Sequence, residues 1–208
     1  MLLAEELALI ALDPDSGRHA LGTRENLNAC LAGLLIAELQ LDDRPESPLL
    51  SAAAEVVAEA GPKPKAVLSA MSRGLERHVG MGTWDAVVAG LVDAGVVAPS
   101  SGGLRPRHQV LDRAGRDAIV ARLRLAASRD DPMGVRTAVL LSMVGPAQLL
   151  ELVAPDRSAR KHARRRIDQA LDATSLEPIS ESVRKVLAEA AAVVATSVAV
   201  TTAATTSG

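Results

Sequence analysis

The residues best suited to catalysis or metal binding are few, and they are spread along the chain. None of the four histidines has a second histidine four residues further on or a cysteine nearby; these residues are His19, His78, His108 and His162. The glycine-containing turns around Gly80 and Gly102 do not match a phosphate-cradling loop. The sequence therefore predicts a protein that is not an enzyme and that binds no metal ion or cofactor.

Cys30 is the only cysteine in the chain. It has no second thiol with which to form an intrachain disulfide, and it lies inside an apolar stretch. A cysteine in such surroundings packs as a small hydrophobic side chain, because burial disfavours the reactive thiolate. We therefore expect a buried, unreactive thiol.

The densest group of charges is the segment RSARKHARRR, which contains Arg157, Arg160, Lys161, Arg164, Arg165 and Arg166. One interpretation is a helix that meets anionic lipid or phosphate groups, since each cation close to a charged membrane adds about 1 kcal/mol. The other is a solvated helix face whose charge is balanced by Asp156, Asp168 and Asp172. The cations are distributed around the predicted helix, which favours the second interpretation.

These residues need a scaffold, and the sequence places its centre at Asn26 to Leu41. Leucine, isoleucine, alanine and glycine surround this predicted helix almost completely, which is typical of a helix buried inside a domain. Its length of roughly 24 Å is short for a membrane span. Trp84 is the only aromatic residue of the protein, so leucine, valine, alanine and methionine must fill the core. Such a core favours helices.

The rest of the chain predicts a mainly α-helical single domain over residues 1–208. Helices are predicted from Leu3, from Leu49, from Lys65, from Thr83 as N-cap with Gly95 as the terminating glycine, from Ala114 with Leu125 on its inner face, from Met133, from Arg157, and from about Ile179. One short β-hairpin with a tight turn at SSGG is predicted at about 96–111. Residues 190–204 carry no charge and are interpreted as part of a buried helix, and 203–208 as a flexible tail.

Charge and hydropathy bound the function. A formal net charge of −2 at pH 7 excludes a strongly basic nucleic-acid binder by bulk electrostatics. The hairpin with Arg105, Arg107 and His108 could be the wing of a winged-helix DNA-binding domain, but the helix before it offers no basic or amide side chain to contact base edges. The opening segment MLLAEELALIAL contains two acids and lacks the basic start of a signal peptide, which indicates a cytoplasmic protein.

Taken in order, several segments resemble one known family. These are LLAEELALIAL, CLAGLLIAELQL, LVDAGVV, DDPMGVRTAVLLSMV and KHARRRIDQALD, and they are similar in order and spacing to the Golgi phosphoprotein 3-like family. The resemblance implies a mainly α-helical domain around a hydrophobic central helix, with one protruding hairpin. It also implies a non-enzymatic peripheral membrane protein that binds phosphatidylinositol 4-phosphate and acts as an adaptor. The high Ala, Arg and Val content resembles a bacterial protein from a GC-rich genome, and so indicates a divergent bacterial member.

The chain departs from this family at the lipid pocket. The resemblance implies a tryptophan and three arginines there, whereas the corresponding residues here are Thr23, Ala32, Met81 and Trp84. An anionic headgroup needs charge-assisted donors, and these residues supply none. The hairpin tip offers only Leu104 as a bulky apolar residue for membrane insertion.

A substitute basic site is therefore predicted beside Trp84. It would consist of four arginines from neighbouring segments: Arg18, Arg24, Arg73 and Arg77. The leading hypothesis is a cytoplasmic, peripherally membrane-associated protein that binds an anionic phospholipid headgroup. The alternatives are a protein-interaction or regulatory module that kept the fold without the lipid, and a winged-helix DNA binder.

Overall fold

The computed structural model describes residues 1–19, 24–41, 46–61, 63–100, 107–170 and 181–192. Within these ranges the chain is mainly α-helical, with one antiparallel hairpin, as predicted. The elements are α1 (Leu3–Ala11), α2 (Arg24–Glu38), α3 (Pro48–Ala60), α4 (Pro64–Val79), α5 (Thr83–Asp93), β1 (Val97–Ser100), β2 (Arg107–Val110), α6 (Arg113–Ser128), α7 (Val135–Val144), α8 (Leu150–Val153), α9 (Arg157–Ala170) and α10 (residues 181–192).

Helix α2 lies at the centre of the core, which confirms the prediction for this stretch. It contacts α1, α3, α4, α5 and α7, and its residues from Cys30 to Glu38 are all buried. Helix α10 packs on it closely at Gly33: a Cβ there would lie 3.3 Å from the Cβ of Ala190 and 3.5 Å from Leu187. The small residue at position 33 therefore lets two helices approach within van der Waals contact.

Helix α1 is also inside the core, because eight of its nine residues are buried. A buried helix must have its terminal N–H and C=O groups satisfied by other parts of the chain. At its start the carboxylate of Glu38 accepts the N–H of Leu3 at 2.6 Å. At its end the guanidinium of Arg116 donates to the carbonyls of Ile10 and Leu12, at 3.4 and 3.2 Å. Two charged side chains from other helices thus cap α1.

The ends of α5 test two predictions about caps. Gly95 has φ +68, its N–H donates to Val92 O, and the next N–H donates to Leu91 O, which is the predicted glycine-terminated helix end. The predicted N-cap Thr83 is wrong, because Gly82 occupies that position and makes no side-chain bond. Thr83 is instead the first helical residue, and its buried hydroxyl has no hydrogen-bond partner in the described part of the chain. Its backbone is already helical, so its side chain does not adopt the capping geometry.

The two strands form the predicted hairpin. Val97 pairs with Val110 and Ser100 with Arg107, so the first strand includes a serine that the sequence placed in a tight turn. Residues 101–106, which include Leu104 and Arg105, follow β1 and precede β2, and they lie outside the described residues. The prediction of two strands is confirmed, whereas the predicted tight turn, apart from Ser100 in β1, lies outside the described residues.

The inner face of α6 differs from its prediction at one position. Ile119, Val120, Leu123 and Ala127 are buried, but Leu125 is 49% exposed. Two residues along a helix correspond to a rotation of about 200°, so Leu125 lies opposite Leu123. The apolar residues next to Leu125 made the pattern compatible with more than one helix face, and the wrong face was predicted for this residue.

The carboxy-terminal part of the chain is described as far as α10. Val183, Val186, Leu187 and Ala190 of this helix are buried, in agreement with a final helix packed on the core. The predicted continuation to Ala204 and the tail 203–208 lie outside the described residues. Within the described ranges, none of the helices has the length and apolar character needed to traverse a bilayer.

Candidate functional site

Trp84 lies where α5 begins, and it joins three segments of the chain. Its backbone N–H donates to Oδ1 of Asn28 at 3.0 Å, which fixes the start of α5 against α2. Its ring meets the imidazole of His19 edge to face, with ring centroids 5.8 Å apart. Only 4% of Trp84 is exposed, so its ring supports the surface rather than forming part of it.

The loop that carries Arg18 is held in place by hydrogen bonds within the loop and to β2. Oδ1 of Asp13 accepts the N–H of Ser16 at 2.6 Å, and these N–H bonds hold the pKa of Asp13 below its usual value. Gly17 has φ +66, and a Cβ there would lie 2.9 Å from the carbonyl oxygen of His108. The N–H of His108 donates to Gly17 O at 2.9 Å. The loop is therefore bound to β2, with Arg18 exposed.

Arg73 and Arg77 are exposed on α4, one turn apart and so on the same side of the helix. Arg77 lies 3.8 Å from Oε2 of Glu59 on α3. His78 lies 3.1 Å from Glu55 and 3.9 Å from the same Glu59. Arg73 has no ion pair with any residue that the structure describes. Of the two arginines, Arg73 is thus the more available to a ligand, while Glu59 would compete for Arg77.

The structure relates the five predicted site residues only in part. Arg18 directly precedes His19, the ring partner of Trp84, and α4 leads through Gly80 to the helix that begins beside Trp84. Arg24 begins α2, but its side chain lies outside the described part. Convergence of the arginine side chains on one ligand stays a prediction.

The positions that the family resemblance assigns to its lipid pocket are chemically different here. Ala32 is fully buried inside α2, and Met81 is 41% exposed between α4 and α5. Trp84 is buried, and Thr23 lies outside the described residues. A headgroup at this corner would therefore have to be bound from α4 and the Arg18 loop.

The hairpin side of α5 is less suited to an anion. Asp85, Asp93 and His108 line a groove of about 270 Å³ there. Burial lowers the pKa of His108, against the opposite effect of the carboxylate of Asp85. This groove carries two carboxylates and an imidazole that favours its neutral form, so it would repel a phosphate group.

The cations of helix α9 fall into a buried and an exposed group, which the sequence alone did not distinguish. Arg166 is only 7% exposed and donates to the carbonyls of Ala126 and Asp131, at 3.3 and 2.8 Å, and to Oε1 of Gln169 at 3.0 Å. It fastens α9 to the end of α6. The spacing of Ala163, Arg166 and Ile167 could have identified this buried face, because residues three or four apart lie on the same side of a helix. All three are buried.

The side of α9 opposite Arg166 carries exposed cations, so positive charges occur on both sides of the helix, and three of the exposed ones lie close together. Arg157, Lys161 and Arg164 are exposed and lie within about 60° of the helix circumference. They line a groove of about 850 Å³ together with Ser158 and Arg160. We refer to Arg157, Lys161 and Arg164 as the α9 basic face.

No group of three or more histidine, cysteine, aspartate or glutamate side chains is arranged to hold a metal ion among the residues with described positions. Cys30 is buried in α2, and burial raises the pKa of its thiol to about 12. The prediction of a buried, unreactive cysteine agrees with this environment.

The described residues form a mainly helical fold around the buried helices α1 and α2, with one antiparallel hairpin. Residues 3–190 match the family model described as Golgi phosphoprotein 3 (GPP34). The chain belongs to this family, as the resemblance of its segments predicted. No curated protein has a sequence that matches it.

Proposed function

We propose that this protein is a non-enzymatic peripheral membrane protein that binds a phosphorylated lipid headgroup, with phosphatidylinositol 4-phosphate as the first ligand to test, and serves as an adaptor. Family membership supports this proposal, since the resemblance implies lipid binding and an adaptor role. The observation that carries it here is the pair Arg73 and Arg77, exposed one turn apart on α4. Guanidinium groups bind phosphate oxygens by strong charge-assisted hydrogen bonds.

The proposed site consists of Arg73 and Arg77 on α4, Arg18 in the neighbouring loop, and Arg24 at the start of α2. Trp84 has a supporting role, because it is buried and contacts His19 next to Arg18. The headgroup would replace the weak contact between Arg77 and Glu59, whose side chains are 68% and 57% exposed. Such exposed pairs contribute little, so they cost a ligand little to displace.

Vesicle co-sedimentation tests the proposal. Vesicles of neutral phospholipid are compared with vesicles that also contain phosphatidylinositol 4-phosphate, for the natural protein and for Arg73→Gln/Arg77→Gln. We expect stronger binding to the phosphoinositide vesicles and a loss of roughly 25-fold in the double variant, since each cation near an anionic surface contributes roughly a factor of five. Lys63→Gln/Lys65→Gln, at the start of the same helix, is the charge-matched control. Equal binding to both vesicle types would reject the proposal.

A second candidate, a protein-interaction module, is favoured by a groove of about 720 Å³ between α6 and α8. Val120, Leu152 and Val153 form its apolar lining, with Arg124 and the exposed Leu125 beside them. These residues suit a peptide that places an acidic side chain next to an apolar one. Leu125→Asp would abolish binding of such a peptide and leave vesicle binding unchanged, which separates the two candidates.

A further inference from the structure

The α9 basic face is separated from the proposed headgroup site. Helix α9 contacts α6, α7 and α8, whereas α4 contacts α2, α3 and α5. A ligand bound at Arg73 and Arg77 therefore leaves Arg157, Lys161 and Arg164 unexplained. The inference below concerns this second surface and does not rest on the headgroup selectivity of the first.

Acidic side chains pair with the cations that flank the α9 basic face, but not with the three cations of the face itself. Arg160 lies 3.2 Å from Oε1 of Glu151 and also donates to Pro155 O at 3.0 Å. Arg165 and His162 lie 3.5 and 3.7 Å from Oδ1 of Asp130. By contrast, none of the three residues of the α9 basic face has an ion pair with another described residue.

The face is presented on a rigid support. The buried guanidinium of Arg166, on the opposite side of the helix, donates to the carbonyl oxygens of Ala126, in the last turn of α6, and of Asp131, in the segment that follows α6. The cations from Arg157 to Arg164 form a row about 10 Å long, at 1.5 Å per helical residue. Exposed Asp156 and Asp168 limit the row at its two ends. Positive charge is thus concentrated on a short row of a protein whose net charge is −2.

The chemistry of the row indicates which partner it fits. Its groove is lined by four cations and the hydroxyl of Ser158, without an apolar side chain that could receive a peptide residue. Its arginines could contact guanine, but the row is short, and the exposed carboxylates of Asp156 and Asp168 at its ends would repel the phosphates of a nucleic acid that extends beyond it. Recognition there therefore depends mainly on charge. A surface with many mobile negative groups satisfies this requirement, and long Lys and Arg side chains reach such a surface easily.

We propose that the α9 basic face binds the surface of an anionic phospholipid bilayer by charge alone, without selecting a headgroup. Binding at this face should follow the total content of acidic lipid and should weaken as salt screens the charges. Phosphatidylserine and phosphatidylglycerol vesicles of equal charge should bind equally.

The test uses the full chain, vesicles of phosphatidylcholine with phosphatidylserine, and low ionic strength. Arg157→Gln/Lys161→Gln/Arg164→Gln should reduce vesicle binding on the order of a hundredfold, because each cation near an anionic surface contributes roughly a factor of five. Lys63→Gln/Lys65→Gln/Arg113→Gln changes the net charge equally at exposed positions away from α9 and should bind as the natural protein does. Circular dichroism checks that both variants are folded.

The outcomes separate this inference from the proposed function. If the α9 variant loses binding to phosphatidylserine vesicles while Arg73→Gln/Arg77→Gln retains it, the α9 basic face is a bilayer contact, whatever the result with phosphatidylinositol 4-phosphate. Absence of phosphatidylserine binding by the natural protein overturns the inference, and so does unchanged binding by the α9 variant. If the α9 basic face binds an acidic peptide or DNA but no vesicles, the face is assigned to those partners instead, and the inference is overturned.

Discussion

The carboxylate of Glu38, which has no exposed surface, is paired with the guanidinium of Arg136, 98 residues further along the chain. Glu38 also accepts the N–H of Leu3, while Arg136 donates to Met1 O at 3.2 Å. The pair therefore connects the start of α1, the end of α2 and the start of α7. Glu38 is fully buried whereas the side chain of Arg136 is 23% exposed, so substitutions of the two residues should differ in their effect on stability.

Arg136→Gln should lower the free energy of unfolding by about 3 kcal/mol, because it leaves the buried carboxylate of Glu38 without a cation. Glu38→Gln should cost less, since glutamine still accepts from Leu3, and Arg136, which is 23% exposed, can be hydrated. Urea unfolding of the two single variants and the double variant measures this asymmetry. An equal loss in both single variants would contradict the account of a buried, uncompensated charge.

Two arginines of α9 should respond very differently to the same substitution. Arg166→Gln removes bonds to the carbonyls of Ala126 and Asp131, and should lower the free energy of unfolding by about 1.5–3 kcal/mol. Arg164→Gln removes an exposed cation and should change it by less than about 0.5 kcal/mol. Thermal unfolding of the matched pair checks the division of α9 into a buried and an exposed side. Similar unfolding temperatures for both variants would show that the bonds of Arg166 to Ala126 and Asp131 do not stabilise the fold.

The sequence predicted the parts of the fold that depend on local patterns. The burial of α2 followed from apolar residues on nearly all its sides, and the end of α5 followed from Gly95. Leu125 was misplaced because a short apolar run is compatible with more than one helix face. The partners of Glu38 and Arg166 could not be predicted, because each lies in a segment distant in sequence and is chosen by tertiary packing.

The candidate site was predictable only as a set of cations. Arg73 and Arg77 could be assigned to one side of a helix by their spacing alone. The contact between His19 and Trp84 and the competing carboxylate of Glu59 depend on how α3, α4 and the Arg18 loop pack. Sequence spacing carries no information on such contacts.

Cys30 should resist thiol reagents until the protein unfolds. Burial raises the pKa of its thiol to about 12, so at pH 8 the group is protonated as well as inaccessible. We expect no modification of the native protein by a disulfide reagent and complete modification in denaturant. Ser51→Cys, at an exposed position of α3, should react rapidly in the native state and serves as the control. Rapid native-state reaction of Cys30 would contradict the burial of α2.

His108 should make the protein less stable in mild acid. Its pKa is lowered by burial in the folded state, so the unfolded chain, with an ordinary value of 6.5, binds the proton more readily. Stability is therefore complete above this unfolded value and falls as the pH drops through it toward the folded pKa. Asp85→Asn should lower the pKa of His108 further, as seen in an NMR titration of its imidazole. In His108→Gln, the part of the loss between pH 7.5 and pH 5.5 that comes from this group should disappear, and an unchanged pH profile would exclude it as a contributor.

Glu59 should restrain headgroup binding, because its carboxylate lies 3.8 Å from the guanidinium of Arg77. An incoming phosphate must compete with this carboxylate and is also repelled by it. Exposed ion pairs are worth about 0.2–1 kcal/mol, so Glu59→Gln should increase binding to phosphatidylinositol 4-phosphate vesicles by roughly 1.5- to 5-fold. Glu46→Gln, which removes the same charge from an exposed position just before α3, should give a smaller increase. If both variants bind equally, the effect is one of net charge alone, and Arg77 is not part of the headgroup site.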